Sequence, residues 1–130
     1  MAATEPGQAI DQFAKFYNSG DLESLMRDLY EDDAVIIPEP GSETARGKAA
    51  IRAVLSAFMD MKGTLQILAT SAVVNGDHAL THTRWRLDIP DGEPMEAVTA
   101  EIVRRQPDGT WKYAIDNPWG GAVLDAMGQA

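Results

Sequence analysis

TLQILATSAVVNGDHALTHTRWRLDI, Thr64 to Ile89, is the stretch on which the reading of the fold turns. Asn75-Gly76 at its centre is a two-residue hairpin signal, because a tight type I′ turn needs positive φ at both positions and these residues accept it at low cost. The flanks, Leu65–Val74 and Ala79–Ile89, then pair as antiparallel strands. On the return strand one parity reads Ala79, Thr81, Thr83, Trp85, Leu87, Ile89 and the other Leu80, His82, Arg84, Arg86, Asp88. The first parity is the one expected to face a core. The outgoing strand, Thr64 to Asn75, carries no charge on either parity. An antiparallel sheet with one wet face places charges there. Its outer face is therefore expected to be covered, most simply by a second copy of the chain about a twofold axis.

Working outward, Pro90-Asp91-Gly92 and Pro107-Asp108-Gly109 divide the remainder into strands Met95–Arg105 and Thr110–Trp119, completing a four-stranded meander. The N-terminal half reads as helices. Ile10, Phe13, Phe16 and Tyr17 recur at helical spacing after Pro6, and Asn18-Ser19-Gly20 stops that helix. Asp21 caps a second, with Leu22, Leu25, Met26 and Leu29 on its apolar side. A third follows Gly47, with Ile51, Val54, Leu55, Phe58 and Met59 in one stripe and Lys62-Gly63 at its end. Between the last two helices Ala34–Ile37 is a short strand, terminated by Pro38, Pro40 and Gly41. Three helices followed by a meander is an α+β pattern, with the helices packed on one face of a curved antiparallel sheet. The chain reads as one domain over 1–130, its core spanning about 8–120 and a tail at 121–130 that frays.

Composition narrows the function classes. The chain has 130 residues, 45% of them apolar, and a net charge of −9. The acids are spread evenly, eleven against six bases through Gly63 and nine against five after it, so the charge is a solvated surface and not a tail. Such a balance argues against a nucleic-acid backbone or an anionic membrane as partner. Without cysteine there is no disulfide, thiol nucleophile or thiolate metal site. Met1 to Phe13 has no apolar run of the signal-peptide kind, and no stretch is apolar enough to span a bilayer, so the expected location is cytoplasmic. No glycine-rich phosphate loop or cofactor signature appears. His78 and His82 lie four apart on a strand, which separates them along its length, and no third ligand is spaced to help, so no metal site is expected. Asp28, Glu31, Asp32 and Asp33 lack the spacing and glycine of a calcium loop.

Three segments carry a family resemblance: Tyr17-Asn18-Ser19-Gly20-Asp21-Leu22, Leu29-Tyr30-Glu31-Asp32-Asp33-Ala34-Val35 and Gly47-Lys48-Ala49-Ala50-Ile51. With the ending Asp108-Gly109-Thr110-Trp111-Lys112 through Asp116-Asn117-Pro118-Trp119-Gly120, the chain resembles the nuclear-transport-factor-2-like superfamily, in its SnoaL-like and ketosteroid-isomerase-like branch, and is similar to calmodulin-kinase association domains. The resemblance implies a cone-shaped, cystatin-like α+β barrel with an apolar cavity for a small hydrophobic or aromatic molecule. It also implies a homodimer through the outer sheet face. Isomerase or cyclase chemistry is one expectation, and a non-catalytic binding or oligomerisation module is the other.

Laid over this sequence, the isomerase pattern puts its helix-one tyrosine on Phe13, its base on Pro38 beside Glu39, and its second oxyanion donor near Glu101. Two of the three groups cannot act, so that reaction in its usual form is not expected. Glu101 is the remaining acid or base. On a pocket face, burial would raise its carboxyl pKa. The alternative is an exposed glutamate paired with Arg84 or Arg104. Candidate ligand-binding residues are Phe13, Tyr17, Ile37, Phe58, Thr83, Trp85, Val103, Tyr113, Ile115, Asn117 and Trp119. Plain core packing of the aromatics is the competing reading. Asn117 either caps the strand end beside Pro118 or projects into the cavity.

Overall fold

The computed structural model describes residues 3–122. Helix α1 (Gln8–Ser19) begins after a turn in which the Gln8 side chain accepts from the Thr4 and Glu5 backbone N–H groups, and it ends at Gly20 with φ 73°. Helix α2 (Leu22–Leu29) is capped by Asp21, whose carboxylate accepts from the Ser24 N–H at 3.0 Å. It runs straight into strand β1 (Tyr30–Ile36), followed by the two-residue β2 (Ala45–Arg46) and helix α3 (Lys48–Asp60). Lys62, and not Gly63, takes the left-handed position after α3, with φ 57°. The hairpin is β3 (Thr64–Asn75) and β4 (His78–Asp88), and β4 alternates buried and exposed residues along the expected parity.

The segment expected as one strand, Met95–Arg105, is split into β5 (Met95–Val98) and β6 (Ala100–Arg105), both paired with β4 in one continuous register. Thr99 interrupts the ladder because its side chain enters it: the Thr83 N–H donates to Thr99 Oγ1 at 2.9 Å. Strand β7 (Trp111–Asn117) follows, then a 3-10 turn at Gly120–Ala122. Residues 123–130 of the expected tail lie outside the described residues.

The sheet runs β2-β1-β7-β6-β4-β3, with β5 alongside β4. Two expectations are corrected. The sheet is mixed, since β1 pairs parallel with β7 while its other pairings are antiparallel. It is also open and does not close into a barrel: β2 is too short to complete the circuit, and β3 stands at the far edge. The core lies between the helices and the concave face, around Leu25, Leu29, Tyr30, Ile36, Ile51, Leu55, Leu87, Val103 and Tyr113. Among the described residues no helix is long and apolar enough to cross a membrane.

Two β-bulges shape this frame. One at Leu68 twists β3, whose distal half runs past the helices and is bare on both faces. The other is at Ala114: β7 pairs with β6 as Tyr113↔Val103 and then Ile115↔Ile102, so Ala114 is the extra residue. The alternation reverses there. Tyr113 and Asp116 point inward, and Ile115, expected to line a pocket, is 47% exposed on the convex face.

Candidate functional site

The concave face carries one cavity at the mouth of the helix layer. Water-sized atoms reach about 60 Å³ of it, within about 520 Å³ of empty space that includes the opening. Its walls are almost wholly apolar, with Ile10, Phe13 and Tyr17 from α1, Leu55 and Phe58 from α3, and Leu65, Trp85, Leu87 and Pro118 from the sheet side. Thr99, Glu101 and Asp116 also line it.

Local folding explains each position. Asn18, beyond its place in the helix stop, clamps the start of β3: its amide donates to the Leu65 carbonyl at 2.9 Å and its Oδ1 accepts from the Leu65 N–H at 2.8 Å. This fixes α1 against the sheet and seats Phe13 and Tyr17 over the cavity. The Tyr17 hydroxyl donates to the Phe58 carbonyl at 2.7 Å, and burial pushes its pKa up to about 12. On the far wall the Trp85 indole N–H donates to the Pro118 carbonyl, and that of Trp119 to the Pro38 carbonyl. Trp119 packs edge-on to Trp85 and against Phe58, behind the lining.

Glu101 and Asp116 face each other as a register pair on β6 and β7. They are 2% and 4% exposed. Glu101 has neither Arg84 nor Arg104 as partner. Its Oε1 accepts from the hydroxyls of Thr81 and Thr99, each at 2.9 Å. Thr99 Oγ1 already accepts from the Thr83 N–H, so its own proton is directed at Glu101. With both threonines on Oε1, an acidic proton belongs on Oε2. Asp116 Oδ2 accepts from the buried Tyr30 hydroxyl.

Burial raises the Glu101 carboxyl to about 8, helped by the charge of Asp116 and opposed by the two threonine hydroxyls. Burial likewise raises Asp116 to about 6, opposed by the Tyr30 hydrogen bond. The two titrate as a pair that keeps one proton near neutrality. The Tyr30 and Tyr113 phenols are held well above 10, chiefly by burial and then by these carboxyl charges.

The other expected positions disperse. Val103 and Tyr113 are core, Tyr113 against Tyr30 with ring centroids 5.3 Å apart. Thr83 is buried in the sheet between Thr70 and Thr99. Ile37 extends the β1–β7 ladder, its N–H donating to the Asp116 carbonyl. Asn117 caps the strand end, its Oδ1 accepting from the Trp119 N–H at 3.1 Å. Glu39, beside the replaced base position, is exposed. Asp116 and Tyr30 were not anticipated. The bulge that turns Asp116 inward has no Gly or Pro to mark it, and Tyr30 meets it from 86 residues away.

The family model of the SnoaL-like domain matches residues 10–114. No curated protein matches the sequence. Among solved structures, an NTF2-like protein of unknown function from Pseudomonas putida is 23% identical, with TM-score 0.71 over 85% of this chain and 80% of its own. A candidate ketosteroid isomerase from Shewanella frigidimarina is 18% identical, with TM-score 0.72 over 85% and 91%. The epoxide hydrolase/cyclase-like enzyme SalBIII, with a role in pyran ring formation in the polyether salinomycin, is 16% identical, with TM-score 0.65 over 86% and 87%.

Proposed function

The chain belongs to the SnoaL-like domain family, and from that premise we propose that it binds a small hydrophobic molecule in the cavity and moves a proton on it, in isomerase- or cyclase-type chemistry. One observation carries the reading: an acid that lines an apolar cavity stands opposite a second buried carboxyl of lower pKa. Two titratable groups with pKa values pushed apart form a donor and an acceptor. Protonated Glu101 would hydrogen-bond a carbonyl oxygen through Oε2 and stabilise the charge that develops there. Ionised Asp116 would take the α-proton. Phe13, at the position of the isomerase tyrosine, supplies only a wall.

Deuterium exchange into a small enolisable ketone, cyclopentanone, followed by NMR in D₂O, tests this directly. The wild type is expected to exchange above buffer and Glu101→Gln not to, with far-UV circular dichroism unchanged. Equal exchange by the two proteins sinks the catalytic reading.

The same reading makes the protein a homodimer through its convex face. Val73, Leu80, Ile102, Ile115 and Val35 are successive register partners across β3, β4, β6, β7 and β1, forming an apolar stripe. Val73 is 64% exposed and Leu80 41%. Contiguous apolar surface of this kind marks an interaction site.

A non-catalytic module is the second reading, favoured by the small space that water-sized atoms reach, about 60 Å³ against ~300 Å³ for a typical ligand site. Native mass spectrometry of freshly purified protein separates the two, since a retained small molecule belongs only to the first.

A further inference from the structure

We propose that the cavity selects a small hydrophobic amine, bound as its ammonium ion against Glu101 and Asp116. The inference rests on the cavity being a binding site and is independent of whether turnover occurs.

Two carboxyls are buried opposite one another, and among the described residues neither has an ion-pair partner. Arg86 pairs with Asp88 and Glu96, Arg104 with Glu31 and Arg105 with Asp77, and Arg84 lies on the exposed parity of β4. Among the described residues no Lys, Arg or His lines the cavity. Buried carboxylates without a cation are costly, and an entering cation relieves that cost where a neutral molecule does not.

The unused hydrogen-bonding atoms agree. Glu101 Oε2 and Asp116 Oδ1 have no donor among the described residues, since the threonines and Tyr30 occupy the other oxygens. The Tyr113 hydroxyl is buried with no hydrogen-bond partner among the described residues. It stands close enough to both carboxyls that their charges raise its pKa. The two carboxylate oxygens are acceptors when the pair is ionised, the protonated Tyr113 hydroxyl keeps a lone pair to accept with, and an ammonium brings three N–H donors and no acceptor. To the ionised pair a carboxylate ligand offers acceptors only and adds like charge, while a carbonyl can accept only from Glu101 in its protonated form.

The rest of the wall suits the remainder of such a ligand. Phe13, Tyr17, Phe58 and Trp85 line the same space. Their π faces attract a cation and its alkyl groups together. At about 10–15 Å³ for each water-sized atom, the accessible volume of about 60 Å³ holds a short amine of about five non-hydrogen atoms.

The test titrates the wild-type protein near neutral pH with isobutylamine, isobutanol and isobutyrate, reading affinities from NMR shifts. The amine is expected to bind more tightly than the alcohol by about tenfold, and isobutyrate more weakly than either. Asp116→Asn is expected to remove the amine's advantage and keep alcohol binding. If the alcohol binds as well as the amine, the amine inference falls and the cavity reading stands. If none of the three binds, both fall.

Should Asp116→Asn not fold, the wild type decides by its pH profile. Amine affinity is expected to rise as the pair ionises between about pH 6 and 8.5, while a flat profile overturns the proposal. The titratable groups facing the pair are the phenols of Tyr30 on β1 and Tyr113 on β7, with the charge of Asp11 on α1 acting on Tyr113. Both phenols stay protonated through that range.

Discussion

At the residue scale, burial holds Glu101 and Asp116 above their ordinary values, so both take up protons more readily in the folded chain than in the unfolded one. The sign follows. The stability they contribute is full at pH below about 4, the unfolded carboxyl range, and is lost as pH rises to the folded value near 8, by about 1.4 kcal/mol per pH unit for each proton released. Urea unfolding is expected to show the wild type losing stability between pH 5 and 8 and Glu101→Gln losing less. A wild type that gained stability over that window would contradict the burial. Tyr30→Phe removes the donor to Asp116 and raises that carboxyl further. It is expected to cost about 1–3 kcal/mol at pH 8, where Asp116 is charged, and much less at pH 5.

Glu101 was legible as a candidate because it shares a parity with Thr99 and Val103, but its burial was not, since neither parity of its strand is cleanly apolar. The threonines that hold it come from ordinary strand positions with no motif to announce them.

At the element scale the hairpin, the parity of β4, the Asp21 cap and the Gly20 stop were readable because each is fixed by local chemistry within a few residues. The helix-three ending falls at Lys62-Gly63 as read, with Lys62 in the left-handed position, while a Cβ at Gly63 would lie 2.7 Å from the Leu87 side chain. Gly63 is there for close approach. Gly120 is tighter, since an added Cβ would come within 2.5 Å of the Ala100 backbone nitrogen. Gly120→Ala must move the 3-10 turn away from β6. It is expected to cost about 1–3 kcal/mol, seen as a lowered Tm, whereas Gly109→Ala at the open turn after β6 meets no atom and pays only for its positive φ. The bulge at Ala114 was invisible because an alanine in a strand carries no signal. That one residue moved Ile115 to the outside and replaced Asn117 with Asp116 at the site.

At the scale of the molecule, the uncharged run Thr64–Asn75 suggested a covered face, and the convex stripe from Val73 to Val35 gives that suggestion a location. Leu80→Glu puts a charge in the middle of the stripe without touching the cavity. Sedimentation equilibrium is expected to show a dimeric wild type and a monomeric variant, and a monomeric wild type would remove the homodimer. The open, mixed character of the sheet was not legible, because the β1–β7 pairing depends on contacts that no local pattern encodes.

That parallel pairing also sets an order in time. Tyr30 opposes Tyr113, and Ile36 opposes Asp116, so the first strand made waits for the last. The β3–β4 hairpin can close as soon as it is synthesised, but β1, paired until then only with the two-residue β2, cannot join the main sheet until β7 exists. Such distant closure slows folding and leaves apolar surface uncovered meanwhile. A nascent chain halted before Trp111 leaves the β7 edge of β1 unpaired, and the proton pair under the helices is therefore among the last features of the molecule to come into being.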